Sequence, residues 1–188
     1  MKKTIALLLS SLLMIFMLVS CSTPKIGIHH AEITVENYGV IKLELNGDIA
    51  PITVQNFMDL ANSGFYDGLT FHRIQKGFMI QGGDPEATGM GGSENNIKGE
   101  FSLNGVDNTI SHSRGVISMA RRGDSFNSAT SQFFICHADS YFLDGQYAAF
   151  GKVTEGMEIV DEICKNVKSS DLVPKADQPV ITSIKIID

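Results

Sequence analysis

The sequence predicts a mainly β domain: a closed, antiparallel, eight-stranded β-barrel with an α-helix capping each end. Three observations point there. Short runs rich in β-branched and aromatic residues recur between turn signals, only two segments carry a helical period and they lie far apart, and there is no internal repeat. In chain order, Ile33-Thr34-Val35 and Val40–Leu45 flank Asn37-Tyr38-Gly39 as a strand pair joined by a turn. Pro51–Asn62 reads as the first helix, with proline at its start, Val54, Phe57, Leu60 and Ala61 on one face, and Gly64 stopping it. Strands follow at Leu69–Gln75, Phe78–Gly82, Gly115–Ala120, Gln132–Cys136 and Ala148–Val153. Gly156–Lys165 reads as the second helix, with Met157, Val160 and Ile163 inward, and Val180–Ile187 closes the chain as a strand. The glycine-rich stretch Gly83–Gly92 reads as a surface loop.

The chain opens with Met1-Lys2-Lys3 and an apolar run from Ile5 to Val19, the pattern of a secretory signal. Leu18-Val19-Ser20-Cys21 looks like a bacterial lipoprotein processing box, so cleavage is expected before Cys21, whose sulfur would carry a diacylglyceryl group. The alternative is an uncleaved transmembrane anchor, but Ile5–Ser20 is shorter than the ~20 apolar residues a spanning helix needs. The expected organisation is a signal over residues 1–20, a polar tether over 21–31 and one folded domain over 32–188. Two or three acyl chains would hold that domain at the cell membrane, on its extracytoplasmic face, where a single chain would not.

Composition narrows the function. The formal net charge is −6, which disfavours nucleic-acid binding and gives no attraction to an anionic bilayer. No HExxH or GxSxG pattern occurs, and Cys136-His137 are strand neighbours that point apart, a poor nucleophile–base pair. Cys136 and Cys164 are expected as buried free thiols, although an extracytoplasmic site permits a disulfide. His72 and His112 are expected to be buried hydrogen-bonding residues. Arg122-Gly123-Asp124 spells a cell-adhesion tripeptide, and a bland loop outweighs adhesion for a match so short.

Three blocks remain: Phe71–Asp84, read as strand–turn–strand ending in paired glycines, then Ser131-Gln132-Phe133-Phe134-Ile135-Cys136, and Phe142-Leu143-Asp144-Gly145-Gln146-Tyr147. In this order and spacing they closely resemble the cyclophilin family of peptidyl-prolyl cis-trans isomerases, and the resemblance runs from about Ile33 to Ile187. It implies the barrel described above and an enzyme that accelerates X-Pro isomerisation in exported proteins, assisting their folding, with no cofactor or metal. Its partners would be proline-containing segments of unfolded or exported chains, and a monomer is expected. The resemblance also implies roles. Arg73 would be the catalytic donor, with Gln81 holding its guanidinium or bonding the substrate carbonyl. Phe78, Met79, Phe134 and Leu143 would line a slot for the proline ring. Gln132 would join the substrate-binding set, and Ala120 and Arg121 would bond the peptide backbone. Phe133, alternating with Phe134, would face the core. Phe78 and Met79 are adjacent, so both reach the site only if a bulge turns them the same way.

The chain departs from many cyclophilins at two positions. It has Phe142 where they carry Trp, and Tyr147 where they carry His; no Trp is present anywhere. Phe142 has no indole N–H to donate, which implies weak cyclosporin binding. Tyr147 keeps a ring that can pack on proline. The loop from Met119 to Gln132, with Arg121, Arg122 and Asp124, departs as well and would tune which peptide binds.

Overall fold

The computed structural model describes residues 26–188; the expected signal, the lipid-bearing Cys21 and the start of the tether lie outside the described residues. Alternation of apolar and polar residues gives the first hairpin. Strand β1 (Ile28–Val35) buries Ala31, Ile33 and Val35, and β2 (Gly39–Asn46) buries Ile41, Leu43 and Leu45. The turn between them needs positive φ at Asn37 (64°) and Gly39 (130°), which asparagine and glycine tolerate best. β1 starts at Ile28, inside the segment read as tether. All eight residues of β2 offer partners, so Ile28–His30 are ordered by ladder pairing with Asn46–Glu44 and not by apolar alternation.

Helix α1 (Pro51–Asn62) buries Val54, Phe57 and Ala61, with Leu60 half-buried. Its N-cap is Ala50, whose side chain makes no capping bond. The buried Glu100 takes over: its carboxylate accepts from the backbone N–H groups of Ile52 (3.1 Å) and Thr53 (2.8 Å) and from the Thr53 hydroxyl (2.7 Å). Strands β3 (Thr70–Gln75), β4 (Met79–Asp84), β5 (Val116–Met119), β6 (Phe133–Cys136) and β7 (Ala149–Glu155) follow. Helix α2 (Met157–Asn166) then buries Ile159, Val160, Ile163 and Cys164, leaving Met157 half-buried, and β8 (Ile181–Ile186) ends the fold.

The eight strands form one antiparallel sheet in the order β3-β4-β6-β5-β7-β2-β1-β8. The expected closed barrel is corrected to an open half-barrel. Its two edge strands, β3 and β8, share no ladder and meet only around the bridge Thr70↔Val180, where Phe71 N–H donates to the Pro179 carbonyl (2.9 Å) and Ile181 N–H to the Leu69 carbonyl (2.7 Å). The rest of the outer edge of β3 is taken by the loop at 170–173. Ile74 and Ser170 exchange N–H···O bonds (3.1 and 2.8 Å), and Val173 N–H donates to the His72 carbonyl (2.8 Å). Beyond Phe71, edge groups satisfied by that loop leave nothing on β3 for β8 to pair with.

Inside the curved sheet, Phe57 of α1 packs on Tyr66, Phe133 and Phe150, with ring centroids 5.3–5.5 Å apart. Cys136 and Cys164 are free and buried, and burial pushes the Cys136 thiol up to about 12 and the Cys164 thiol to about 11. Neither is a nucleophile at neutral pH.

Candidate active site

Strand register builds the site. Arg73 lies opposite Gln81, Gln81 opposite Phe134, and Phe134 opposite Ser118. Directly opposed residues share a face of the sheet, so this row crosses four strands on the side away from the core. The neighbouring row, Ile74–Ile80–Ile135–Ile117, faces inward and is fully buried. One irregularity decides which way Arg73 points. Phe71 pairs with Gly82 but Arg73 pairs with Gln81, so His72 is an extra residue in β3. In a regular, unbulged strand Phe71 and Arg73, two positions apart, would lie on one face. With the bulge, Phe71 is buried in the core and Arg73 emerges outside, its side chain 31% exposed.

The guanidinium is held from several directions. Nε donates to Asp171 Oδ1 (2.9 Å), Nη1 to Gln81 Oε1 (3.3 Å) and more weakly to Met79 Sδ (3.8 Å), and the group lies 5.7 Å from the Phe78 ring centroid. Its Nη2 meets no acceptor among the described residues. The hydrogen bonds from Arg73 and Gln75 hold the Asp171 carboxyl below its ordinary range. Gln81 passes the constraint on: its Nε2 donates to Gln132 Oε1 (2.8 Å), whose Nε2 donates to the Gly91 carbonyl (2.7 Å). The loop carrying Gly91 is itself gathered by the buried Asp84, which accepts from the N–H groups of Glu86 (2.8 Å) and Thr88 (3.0 Å).

Beside Arg73, Met79, Phe134 and Leu143 form the floor of a small apolar cluster separate from the main core, with Phe78, Ala120 and Tyr147 half-buried against it. Met79 and Phe78 do face the same space, but no bulge is needed. Phe78 sits in the turn before β4, against Phe142 (centroids 5.4 Å), while Met79 opens the strand. Tyr147 stands edge-on to Phe134 (6.0 Å, 81°). The resulting pocket of about 290 Å³ gathers Arg73, Phe78, Met79, Gln81, Ala120, Arg121, Phe134, Phe142, Leu143 and Tyr147. Gln132 lies next door, in a second chamber of about 420 Å³ that shares Gln81, Ala120 and Arg121 with the first. Cys21 lies outside the described residues.

Three supporting residues, His112, Asp144 and Asp171, are not among the expected site residues, although His112 is the buried hydrogen-bonding residue expected of it. His112 Nδ1 bonds Asp144 Oδ1 (2.8 Å), its Nε2 bonds Ser118 Oγ (3.0 Å), and its ring stacks on Phe134 (6.1 Å, 16°). Burial keeps His112 below its ordinary value despite the pull of Asp144, so the ring is neutral, donating to Asp144 and accepting from Ser118. Asp144 terminates the turn that carries Phe142 and Leu143. Its burial opposes ionisation, but hydrogen bonds from Ser111 and His112 outweigh it and keep the carboxyl below its ordinary range. Asp171, the Arg73 partner, lies 98 residues away in sequence. His72 corrects an expectation: it is buried, but neither ring nitrogen has a hydrogen-bond partner among the described residues. Burial lowers its pKa and keeps it neutral.

Known proteins with this architecture are numerous. The family description "Cyclophilin type peptidyl-prolyl cis-trans isomerase/CLD" matches residues 30–186. Peptidyl-prolyl cis-trans isomerase A of Dickeya dadantii (strain 3937) is 44% identical over 162 residues, covering 79% of this chain and 80% of its own. A peptidyl-prolyl cis-trans isomerase of Helicobacter pylori (strain J99) is 46% identical over 129 residues, 68% of this chain and 76% of its own. Among solved structures, a cyclophilin-type peptidyl-prolyl cis-trans isomerase of Cryptosporidium parvum superposes with a TM-score of 0.77 at 33% identity, over 86% of this chain and 98% of that one. The same Cryptosporidium protein, solved in the presence of the dipeptide Ala-Pro, gives 0.76 at 33% identity, over 85% of this chain and 99% of that one. With family, fold and groove in agreement, the chain belongs to the cyclophilin family and is a cyclophilin-type peptidyl-prolyl cis-trans isomerase.

Proposed function

We propose that the two-chambered groove takes a proline-containing peptide, with the proline ring in the apolar chamber, and that Arg73 is the donor that accelerates rotation. The observation that carries this is the restrained guanidinium at the rim of that chamber, with Nη2 unspent. That the Cryptosporidium parvum relative was solved in the presence of the dipeptide Ala-Pro supports the choice of ligand. Rotation about X-Pro is slow because the amide is conjugated, with a barrier of about 18–20 kcal/mol. At the twisted transition state the proline nitrogen is pyramidal and gains a lone pair. A planar cation aimed at that lone pair stabilises it more than it stabilises either planar isomer. One charged hydrogen bond contributes about 1.5–3 kcal/mol, whereas a 10⁵-fold acceleration needs about 7 kcal/mol. The difference falls to the floor of Phe134, Met79 and Leu143, which excludes water, and to Gln81, which keeps the guanidinium from reorganising.

Arg73→Ala is expected to cut kcat/KM in an isomerisation assay on an X-Pro peptide by about ten- to a hundredfold, the equivalent of the charged bond it removes, while peptide affinity changes far less. Arg73→Lys recovers part, since an ammonium lacks the planar fork. Near-normal turnover with lost affinity would instead make the groove a binding module.

The work is proposed to be folding assistance to exported chains, from an extracytoplasmic lipid anchor at Cys21. The basic start, apolar run and processing box of the sequence support that address. Cyclosporin is proposed to bind weakly, as Phe142 stands at the rim, 67% exposed, without a donor.

A further inference from the structure

The wall between the two chambers is Arg121, which lines both. Its guanidinium carbon lies 4.6 Å from the Tyr147 ring centroid, 5.1 Å from that of Phe126 and 5.4 Å from that of Phe101. Nε donates to the Gln146 carbonyl (3.0 Å) and Nη1 to the Arg122 carbonyl (2.9 Å), which leaves Nη2 and one Nη1 hydrogen unspent among the described residues. The other groove arginines have carboxylate partners: Asp171 for Arg73 (2.9 Å) and Asp124 for Arg122 (3.2 Å). Arg121 has none among the described residues. No aspartate or glutamate lines either chamber, although the chain as a whole carries a net charge of −6. An acidic protein has therefore concentrated positive charge along its groove, and the one unneutralised member is rigid.

Rigidity matters for recognition. A long side chain usually loses rotamer freedom when it captures a ligand. Three rings and two carbonyls have already fixed this one, so little is left to lose on binding, and its planar fork matches a carboxylate. The cation–π contacts hold the guanidinium without consuming its donors. The wider chamber beyond it is walled by the Gly89–Gly92 backbone, Ala120 and Gln132, which leaves room for a side chain of Glu size.

Resting on the reading of the groove as the peptide site, we infer that Arg121 is a specificity determinant that selects segments bearing an acidic residue within two positions of the isomerising proline. The preferred clients are then acidic proline-containing segments, and Lys or Arg at that position is disfavoured by the like charge.

The test is a set of proline peptides in which Glu is scanned through the two positions on either side of proline, with Gln and Lys counterparts. Isomerisation is followed by NMR exchange, so no coupled protease adds its own specificity. For the wild-type protein, kcat/KM for Glu over Gln should be about three- to tenfold at one position at low salt, with Lys below Gln. The ratio should approach one in 1 M NaCl and in Arg121→Gln, and be partly kept in Arg121→Lys. Each ratio is taken within one variant, so a general loss of activity in Arg121→Gln cancels. Equal turnover of Glu and Gln peptides by the wild type at every position overturns the inference and leaves the peptide-site reading standing. An unchanged ratio in Arg121→Gln also overturns it. Turnover of no peptide at all removes both.

Discussion

A histidine in a protein interior has a consequence that depends on pH, and His72 is the clearest case in this chain. It is the extra residue of β3, fully buried, and lies between the core-facing Phe71 and the groove-facing Arg73. Burial lowers its pKa, Asp84 partly opposes the shift, and Arg73 adds to it. Its folded value is thus below the ordinary 6.5, so as pH falls through about 6.5 the unfolded chain takes up a proton before the folded one does. Stability is full above that value and declines below it until the lowered folded value is reached. His112 and His137 are shifted the same way, again chiefly by burial, and share the window. The midpoint of urea unfolding should therefore drop between pH 7 and pH 5, and His72→Leu should shrink that drop by removing one of the three contributions. Equal drops in wild type and variant would mean that His72 is solvated well enough to titrate normally.

At the scale of the element, helix α1 shows how much of a local structure is set from a distance. Its sequence supplies proline at the first position and an apolar face, but no side-chain cap and no acidic residue in the first turn. Glu100 provides both the acceptor and the negative charge that the N-terminus calls for. Glu100→Ala would strand three donors, two of them buried, and should cost about 2–3 kcal/mol, whereas Glu100→Gln, keeping one oxygen, should cost about 1 kcal/mol. Urea denaturation measures both, and a loss no larger in Ala than in Gln would show that the carboxylate is not the cap. The same distance effect separates what could be read in the sequence from what could not. Helix positions and most strands follow from local periodicity, with ends off by a residue or two. The apolar lining of the groove was carried by motif resemblance, residue by residue. The bulge at His72 was invisible, because Phe71-His72-Arg73-Ile74 shows no glycine or proline to mark it; it exists because β4 pairs with both flanks. Asp171, His112 and Ser118 were invisible as site supports for a related reason. Their partners lie far along the chain, and nothing local distinguishes a supporting aspartate from a solvated one. Closure of the barrel was read from strand count, which carries no information on whether a loop such as 170–173 has already taken the edge.

For the whole molecule, the question is how an acidic domain would work at a membrane, under the proposed lipid anchor, without its groove being hidden. The described chain enters on β1, which supplies none of the pocket residues; those come from β3, β4, the turn between them, β6 and the segments after β5 and β6. A tether reaching β1 therefore leads into an element apart from the groove. Asp188 fastens the other terminus beside this entry, accepting from the His30 backbone N–H (2.7 Å) and pairing with the His29 ring. Among the described residues no helix is long and apolar enough to cross a membrane, and a net charge of −6 gives no attraction to anionic lipid. If the domain is held at a membrane, the proposed acyl chains on Cys21 must supply the adhesion. Three outcomes are then expected of the full-length protein expressed in a bacterial host. It should partition into the detergent phase, since two or three acyl chains suffice for stable anchoring. A high-salt wash should leave it bound, because no ionic contact is being screened. Cys21→Ala should either move it to the aqueous phase or leave residues 1–20 attached, which mass spectrometry distinguishes. Release of the wild type by salt, or an unmodified Cys21 thiol on a soluble wild-type protein, would remove the lipid anchor. The groove, which lies entirely within residues 26–188, would be untouched by that result, and isomerase activity should be the same on either side of the detergent partition.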